Sequence, residues 1–426
     1  MGATEDAASR RPARPGDTEL HRESGSFIEL DDLRRTPNAL AADYTSFRVA
    51  ERLYLTGHSH QAWPDVAREG VIEAFEDAAL HVDEKWERAF AKAERVREGF
   101  RRLLGEPDAD IALGQNTHEL VVRFLSALDL RQRPRLVSTD GEFHTLRRQL
   151  ARLDEEALDV VRLSANPVET LSERLAGALD DKTSAVLVSA VLFESSRIVP
   201  GLAELARACT DAGVELLVDA YHALGALPFR LADQRLESAW IVGGGYKYLQ
   251  LGEGNCFLRL PPQAQELRPV LTGWFAEFAE LAAEHDERVV AYPHGGARFA
   301  GATYDPTSNY RAARVFDFFE ERGLSPEFLR TVYQHQTHLL ARLFDELGTP
   351  EAAMRRDRDV PLEQLGGFLS FESLHAERIS RRLMRDGVHT DIRGRYLRLG
   401  PAPYLSDAQL EAAIEHLGLA VAAEVL

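Results

Sequence analysis

"GLAELARACTDAGVELLVDAY", residues 201–221, reads as a helix, a stop and a buried strand in quick succession. Apolar residues at helical spacing lead to Gly213, which suits the C′ position of a helix. The run that follows is apolar up to Asp219. The same pairing recurs along the middle of the chain. "PRLVSTD" (134–140) reads as a strand and "FHTLRRQLARLDEEA" (143–157) as a helix, and "LDVVRLSA" (158–165) and "SAVLVSAVLF" (184–193) are further strands. Near-continuous apolar strands alternating with helices predict an α/β fold, with a mainly parallel central sheet and helices on both faces.

Outward from this region the pattern changes. From about residue 310 come long amphipathic stretches such as "SPEFLRTVYQHQTHLLARLFDEL", then short strands ("GGFLSFES", "YLRLGPAP") and a closing helix. That order predicts a smaller C-terminal α+β domain. The expected organisation is a disordered tail over 1–27, a segment over 28–65 that joins the small domain, a large α/β domain over 66–305 and the small domain over 306–426. The last boundary is set near "AGATYDPTSNY", where Gly, Asp, Pro and Ser cluster.

Composition narrows the function. The 426 residues carry 50 Lys and Arg against 68 Asp and Glu, a net charge of −18. This disfavours nucleic acid, whose backbone needs clustered basic residues. No apolar run approaches the ~20 residues that span a bilayer, and the tail lacks the apolar core of a secretory signal. Two cysteines, Cys209 and Cys256, make no disulfide framework and lack metal-ligand spacing. A cytoplasmic enzyme with no metal is the expectation.

Ligands of a parallel sheet bind beyond the C-terminal ends of its strands. "VELLVDAYHALGALPF" places Asp219 and His222 at one such end, and "SAWIVGGGYKYL" places Lys247 at the end of a neighbouring strand. Singly these read as a helix cap, a packed histidine and a loop charge. Together they suggest more, because a carboxylate ending a buried strand is costly unless it meets a cation. One chemistry uses this pair jointly: pyridoxal 5'-phosphate, held by a lysine Schiff base with an aspartate on its pyridinium nitrogen. A phosphate cradle is available where "IALGQNTHELVVRFLSAL" turns from strand to helix, near Thr117 and His118. Phe143 and His144, in "STDGEFHT", are candidates to stack on the ring.

These motifs resemble fold type I pyridoxal phosphate enzymes of the class V aminotransferase group, and most closely kynureninase, from about Tyr54 to the end of the chain. The match rests on a D-x-x-H motif (Asp219, His222) followed by "YKYL" (246–249). The resemblance implies that Lys247 carries the cofactor, Asp219 binds the pyridinium nitrogen, Tyr246 binds the phosphate and assists proton transfer, and His222 supports the site. "GWF" (273–275) implies Trp274 near the phosphate at a homodimer interface, with Thr303 as a further cofactor contact. "DIRGRYLRLGPAPYLS" implies Arg398 as clamp for a substrate α-carboxylate, with Arg393 as its rival. "LHVDEKW" (80–86) implies His81 in the pocket.

The implied reaction is hydrolysis of the Cβ–Cγ bond of L-kynurenine or a related amino acid. Departures leave the substrate open. "FAGATYDP" (299–306) has Thr303 and Tyr304 where the family has an asparagine, and "FESSR" (193–197) replaces a tyrosine-threonine-glycine segment. An aminotransferase, racemase or β-lyase would use the same Lys247 and Asp219. A cysteine desulfurase needs a loop cysteine that neither Cys209 nor Cys256 supplies. A non-catalytic cofactor-binding protein would have no use for an α-carboxylate clamp.

Overall fold

Seven strands build the central sheet: β1 (Asp110–Gly114), β2 (Arg135–Thr139), β3 (Asp159–Leu163), β4 (Thr183–Ser189), β5 (Glu215–Asp219), β6 (Trp240–Gly244) and β7 (Cys256–Leu260). The computed structural model describes residues 27–280 and 288–425, so the tail expected over 1–27 lies outside the described residues except for Phe27. The strand order is β1-β7-β6-β5-β4-β2-β3. Neighbours pair in parallel except β7, which runs antiparallel to β1 and β6.

Successive side chains of a strand face opposite ways, and here both ways are buried. Val186, Val188, Leu216 and Val218 enter one core, while Ala185, Leu187 and Leu217 enter the other. Helices α1 (Val66–His81), α2 (Lys85–Leu104), α3 (Thr117–Ala127), α4 (His144–Glu156) and α5 (Leu202–Asp211) surround the sheet. Val96 and Phe100 of α2 and Leu205 of α5 fill the first core. Leu120 and Phe124 of α3 and Leu146 and Leu150 of α4 fill the second. Each fully buried aliphatic side chain contributes roughly 1.5–3 kcal/mol. The central strands β4 and β6 are buried throughout because both faces are covered, while the edge strand β3 exposes Asp159 and Arg162.

Past the large sheet, α6 (Thr307–Glu321) lies against α1 and α2. Helix α7 (Pro326–Glu346) starts sharply, with Pro326 at its first position and the Ser325 hydroxyl accepting from Phe328 N–H. Four antiparallel strands follow, β8 (Arg355–Arg356), β9 (Leu369–Glu372), β10 (Asp391–Arg393) and β11 (Tyr396–Leu399), in the order β10-β11-β9-β8. Helices α8 (Ala376–Arg385) and α9 (Asp407–Glu424) complete the smaller α+β unit. Leu53 and Tyr54 pair in parallel with Val388 and His389, which draws the N-terminal segment onto this unit.

The hairpin between β6 and β7 depends on its glycines. A Cβ on Gly244 would lie 2.4 Å from the Tyr221 hydroxyl oxygen, and one on Gly245 2.2 Å from the Leu251 side chain. Gly244→Ala is expected to displace the Tyr221 ring and cost about 1–3 kcal/mol. A lower thermal unfolding midpoint is the check, and an unchanged midpoint would show that the hairpin gives way freely.

Candidate active site

A cavity of about 250 Å³ opens at the C-terminal ends of β4, β5 and β6, against the N-terminus of α3. Asp219 ends β5 and Lys247 follows β6 by three residues, and the parallel pairing of these strands sets both in its wall. Lys247 is 5 % exposed. Its Nζ lies 2.8 Å from Nε2 of His222 and faces the rings of Tyr221 (4.6 Å) and Phe143 (5.2 Å). Burial brings the amine down to about 7, with Asp219 opposing and Arg398 and Arg393 reinforcing the shift. Burial, and then the Lys247 charge, hold His222 well below its usual range, so its ring is neutral. Nζ–H therefore donates to Nε2, and Nδ1 of His222 is buried with no partner among the described residues.

Asp219 accepts from Tyr221 N–H at 2.9 Å. Burial raises its carboxyl, against Tyr221 N–H and Lys247. Among the described residues it forms no ion pair, so a cationic ring nitrogen would meet an open oxygen here. Phe143 and Thr117 also line the cavity, with Gln115 and Asn116 beside them. Asn116 caps α3 by accepting from Glu119 N–H at 3.0 Å. A flat cationic heteroaromatic bearing a phosphate fits this set: aspartate for the nitrogen, phenylalanine for the face and a helix N-terminus for the anion.

Several residues singled out from the sequence lie elsewhere. His118 is exposed because the buried stripe of α3 runs through Leu120, Val121 and Phe124. His144 opens α4 facing solvent, its Nδ1 3.1 Å from Arg147 Nη2. His81 ends α1 and is not among the residues that line the cavity. Trp274 donates to Thr303 Oγ1 at 3.2 Å, and Thr303 lines an adjoining cavity of about 550 Å³. The two cavities share Gln115, Gly254 and Cys256. Tyr246 lines the first, its ring stacked on His60 and its phenol pushed up to about 12 by burial.

The two arginines are brought together but are not free. Asp391 stands opposite Arg398 in the β10–β11 register. Its carboxylate pairs with Arg398 and takes a 2.6 Å hydrogen bond from Arg393 Nη1, while Arg398 also donates to the carbonyl of Phe193. His58, stacked on Phe368, completes the cluster 3.4 Å from Asp391. Two guanidiniums against one carboxylate leave a net positive charge. Arg398, expected as a carboxylate clamp with Arg393 as its rival, thus shares Asp391 with Arg393, and neither arginine is among the residues lining the Lys247 cavity. The spacing of Asp391 and Arg398 about Gly394, a hairpin signal, could have revealed this pairing. Tyr221, Ser189 and Glu142 were missed for another reason: they read as ordinary strand-end or turn residues.

Comparison with known proteins places the fold. No family model matches the chain. Among solved structures, the apo cysteine desulfurase of Thermococcus onnurineus NA1 superposes with a TM-score of 0.75 at 17% identity, covering 91% of this chain and 98% of that one. The cystine C–S lyase C-DES, bound to its product cysteine persulfide, also gives 0.75 at 17%, covering 88% and 99%. The chain therefore has the fold type I architecture. In sequence it is similar to the kynureninase of Bacillus cereus, 26% identical over 329 residues, which is 73% of this chain and 74% of the relative. It is also similar to the uncharacterized aminotransferase YcbU of Bacillus subtilis, 21% identical over 351 residues, 81% and 88% of the two chains. Among the described residues no helix is long and apolar enough to cross a membrane.

Proposed function

We propose that this protein is a pyridoxal phosphate enzyme that hydrolyses the Cβ–Cγ bond of L-kynurenine or a related α-amino acid. The observation that carries the cofactor reading is the meeting of buried Lys247 and His222 with half-buried Asp219 in one cavity. The similarity to kynureninases supports the reaction. When bound, the cofactor supplies an electron sink for charge at the substrate α-carbon. Asp219 would hold its ring nitrogen, Phe143 its face, and the start of α3, at Thr117, its phosphate. Lys247 is deprotonated enough near neutrality to take the proton from the α-carbon, with His222 Nε2 orienting Nζ. Arg398 and Arg393 would attract the substrate carboxylate, and Asp391 would fix both guanidiniums.

Neither cysteine offers a thiolate. Burial pushes Cys209 and Cys256 up to about 12, although Cys256 lines the cavity. One observation favours a second reading, transamination or β-elimination on another amino acid: Thr303 and Tyr304 line the adjoining cavity, and neither lines the one holding Lys247. Turnover of L-kynurenine and 3-hydroxykynurenine by the loaded protein decides between them. Anthranilate-type product with alanine is expected. A bound cofactor with no such product would move the function to another amino acid.

The lowered amine sets a pH dependence. Uptake of pyridoxal phosphate requires a neutral Lys247, so its rate should rise as pH passes through about 7 and then level off. A rate that keeps climbing far into the alkaline range would mean an ordinary lysine. We also read the active form as a homodimer. Phe75, Val82, Val270 and Trp274 are apolar and exposed, and a second copy would cover them. Sedimentation showing a fully active monomer would refute this.

A further inference from the structure

Glu142 is a buried carboxyl that the mechanism above leaves unused. It follows β2 by three residues and is 1 % exposed. Its Oε1 accepts two hydrogen bonds, from Thr139 Oγ1 at 2.7 Å and from Ser189 N–H at 3.3 Å. Its Oε2 lies 2.5 Å from Ser189 Oγ. None of these partners is a cation, and Glu142 enters no ion pair among the described residues. The neighbouring charge is adverse, since Ser189 stands opposite Asp219 in the β4–β5 register. Burial pushes the Glu142 carboxyl up to about 7 against the hydrogen bonds from Ser189 and Thr139, and Asp219 adds to the rise.

A carboxylate buried beside another carboxylate with no cation is strongly disfavoured. An acid with its proton on Oε2 satisfies the same geometry without charge. Oε1 accepts twice, and the proton on Oε2 bridges to Ser189 Oγ. The Ser189 hydroxyl then keeps its own proton for another partner. Ser189 lines the cavity, so that partner is whatever the cavity holds.

We propose that Glu142 is a neutral carboxylic acid that turns the Ser189 hydroxyl into the cavity, where it donates to an anionic oxygen of the bound molecule. Glu142 is thus a positioning residue that acts through Ser189. The donor role rests on the reading of the cavity as a pyridoxal phosphate site, while the protonation state does not.

Glu142→Gln is the informative variant, because its amide reproduces the acid: the carbonyl oxygen accepts twice and the N–H donates to Ser189 Oγ. Infrared difference spectra of wild type against E142Q are recorded at mildly acidic pH, where an ordinary glutamate is ionised. The C=O stretch of a buried carboxylic acid is expected in the wild type, with and without cofactor. A carboxylate band in its place would overturn the proposal. Cofactor retention tests the second half. E142Q should hold pyridoxal phosphate as the wild type does, and Ser189→Ala should release it about 10- to 150-fold more readily, the worth of one hydrogen bond to a charged group. Equal retention by Ser189→Ala would overturn the donor role. Failure of every form, wild type included, to take up pyridoxal phosphate would refute the cofactor reading and the donor role with it. The infrared band of the unloaded chain would still decide the state of Glu142.

Discussion

Lys247→Ala is expected to abolish the visible absorption of lysine-linked cofactor and to lower turnover by about a hundred- to ten-thousand-fold from loss of the base alone. The side chain is buried, its Nζ is 2.8 Å from a neutral His222, and burial brings it to about 7. No neighbour can replace it. His222 is itself held neutral and poorly basic by burial and by the Lys247 charge. Tyr221 and Tyr246 are pushed up by burial and are weak acids in this site. Absorbance and turnover of the variant, measured on protein with an unchanged circular dichroism spectrum, provide the check. A band that persists in Lys247→Ala would sink the central assignment.

Asp391→Asn should produce the largest loss of stability. The substitution keeps the shape and removes the charge that compensates Arg398, a guanidinium only 3% exposed. Breaking a buried pair by removing one partner costs about 3–5 kcal/mol. Burial by itself would raise the Asp391 carboxyl. His58, Arg398 and Arg393 overcome that and hold it well below the usual range. Its folded pKa therefore lies under its unfolded value, near 3.9. The pairing stabilises fully above the unfolded value and is lost as pH falls through the folded one. The gap between wild type and Asp391→Asn should be widest near neutrality and close in acid. Denaturant midpoints across pH measure it, and a gap that does not change with pH would exclude the pairing as its source.

Much of the fold was legible because it is written in local pattern. Strands β4 and β5 are apolar runs that end in Ser189 and Asp219, and α5 carries helical spacing between them. The placement of Asp219 and Lys247 followed from one rule, that ligands gather at the C-terminal ends of parallel strands. The histidines were less legible. His81, His118 and His144 sit near helix ends, where a shift of one position turns a side chain from cavity to solvent, and sequence periodicity does not resolve a single position there.

The sequence by itself determined the layered α/β architecture, the acidic balance that disfavours nucleic acid, and the placement of an aspartate and a lysine at consecutive strand ends. These depend on composition and on contacts between residues whose spacing the strands dictate. Only the tertiary structure decided which groups share charge. Asp391 reaches Arg398 through a strand register, Glu142 reaches Ser189 across two strands, and Tyr221 meets Lys247 because glycines let the hairpin close. Proton positions and guanidinium partners are set by burial and by distances of a few ångströms between segments remote in the chain, and linear order carries neither.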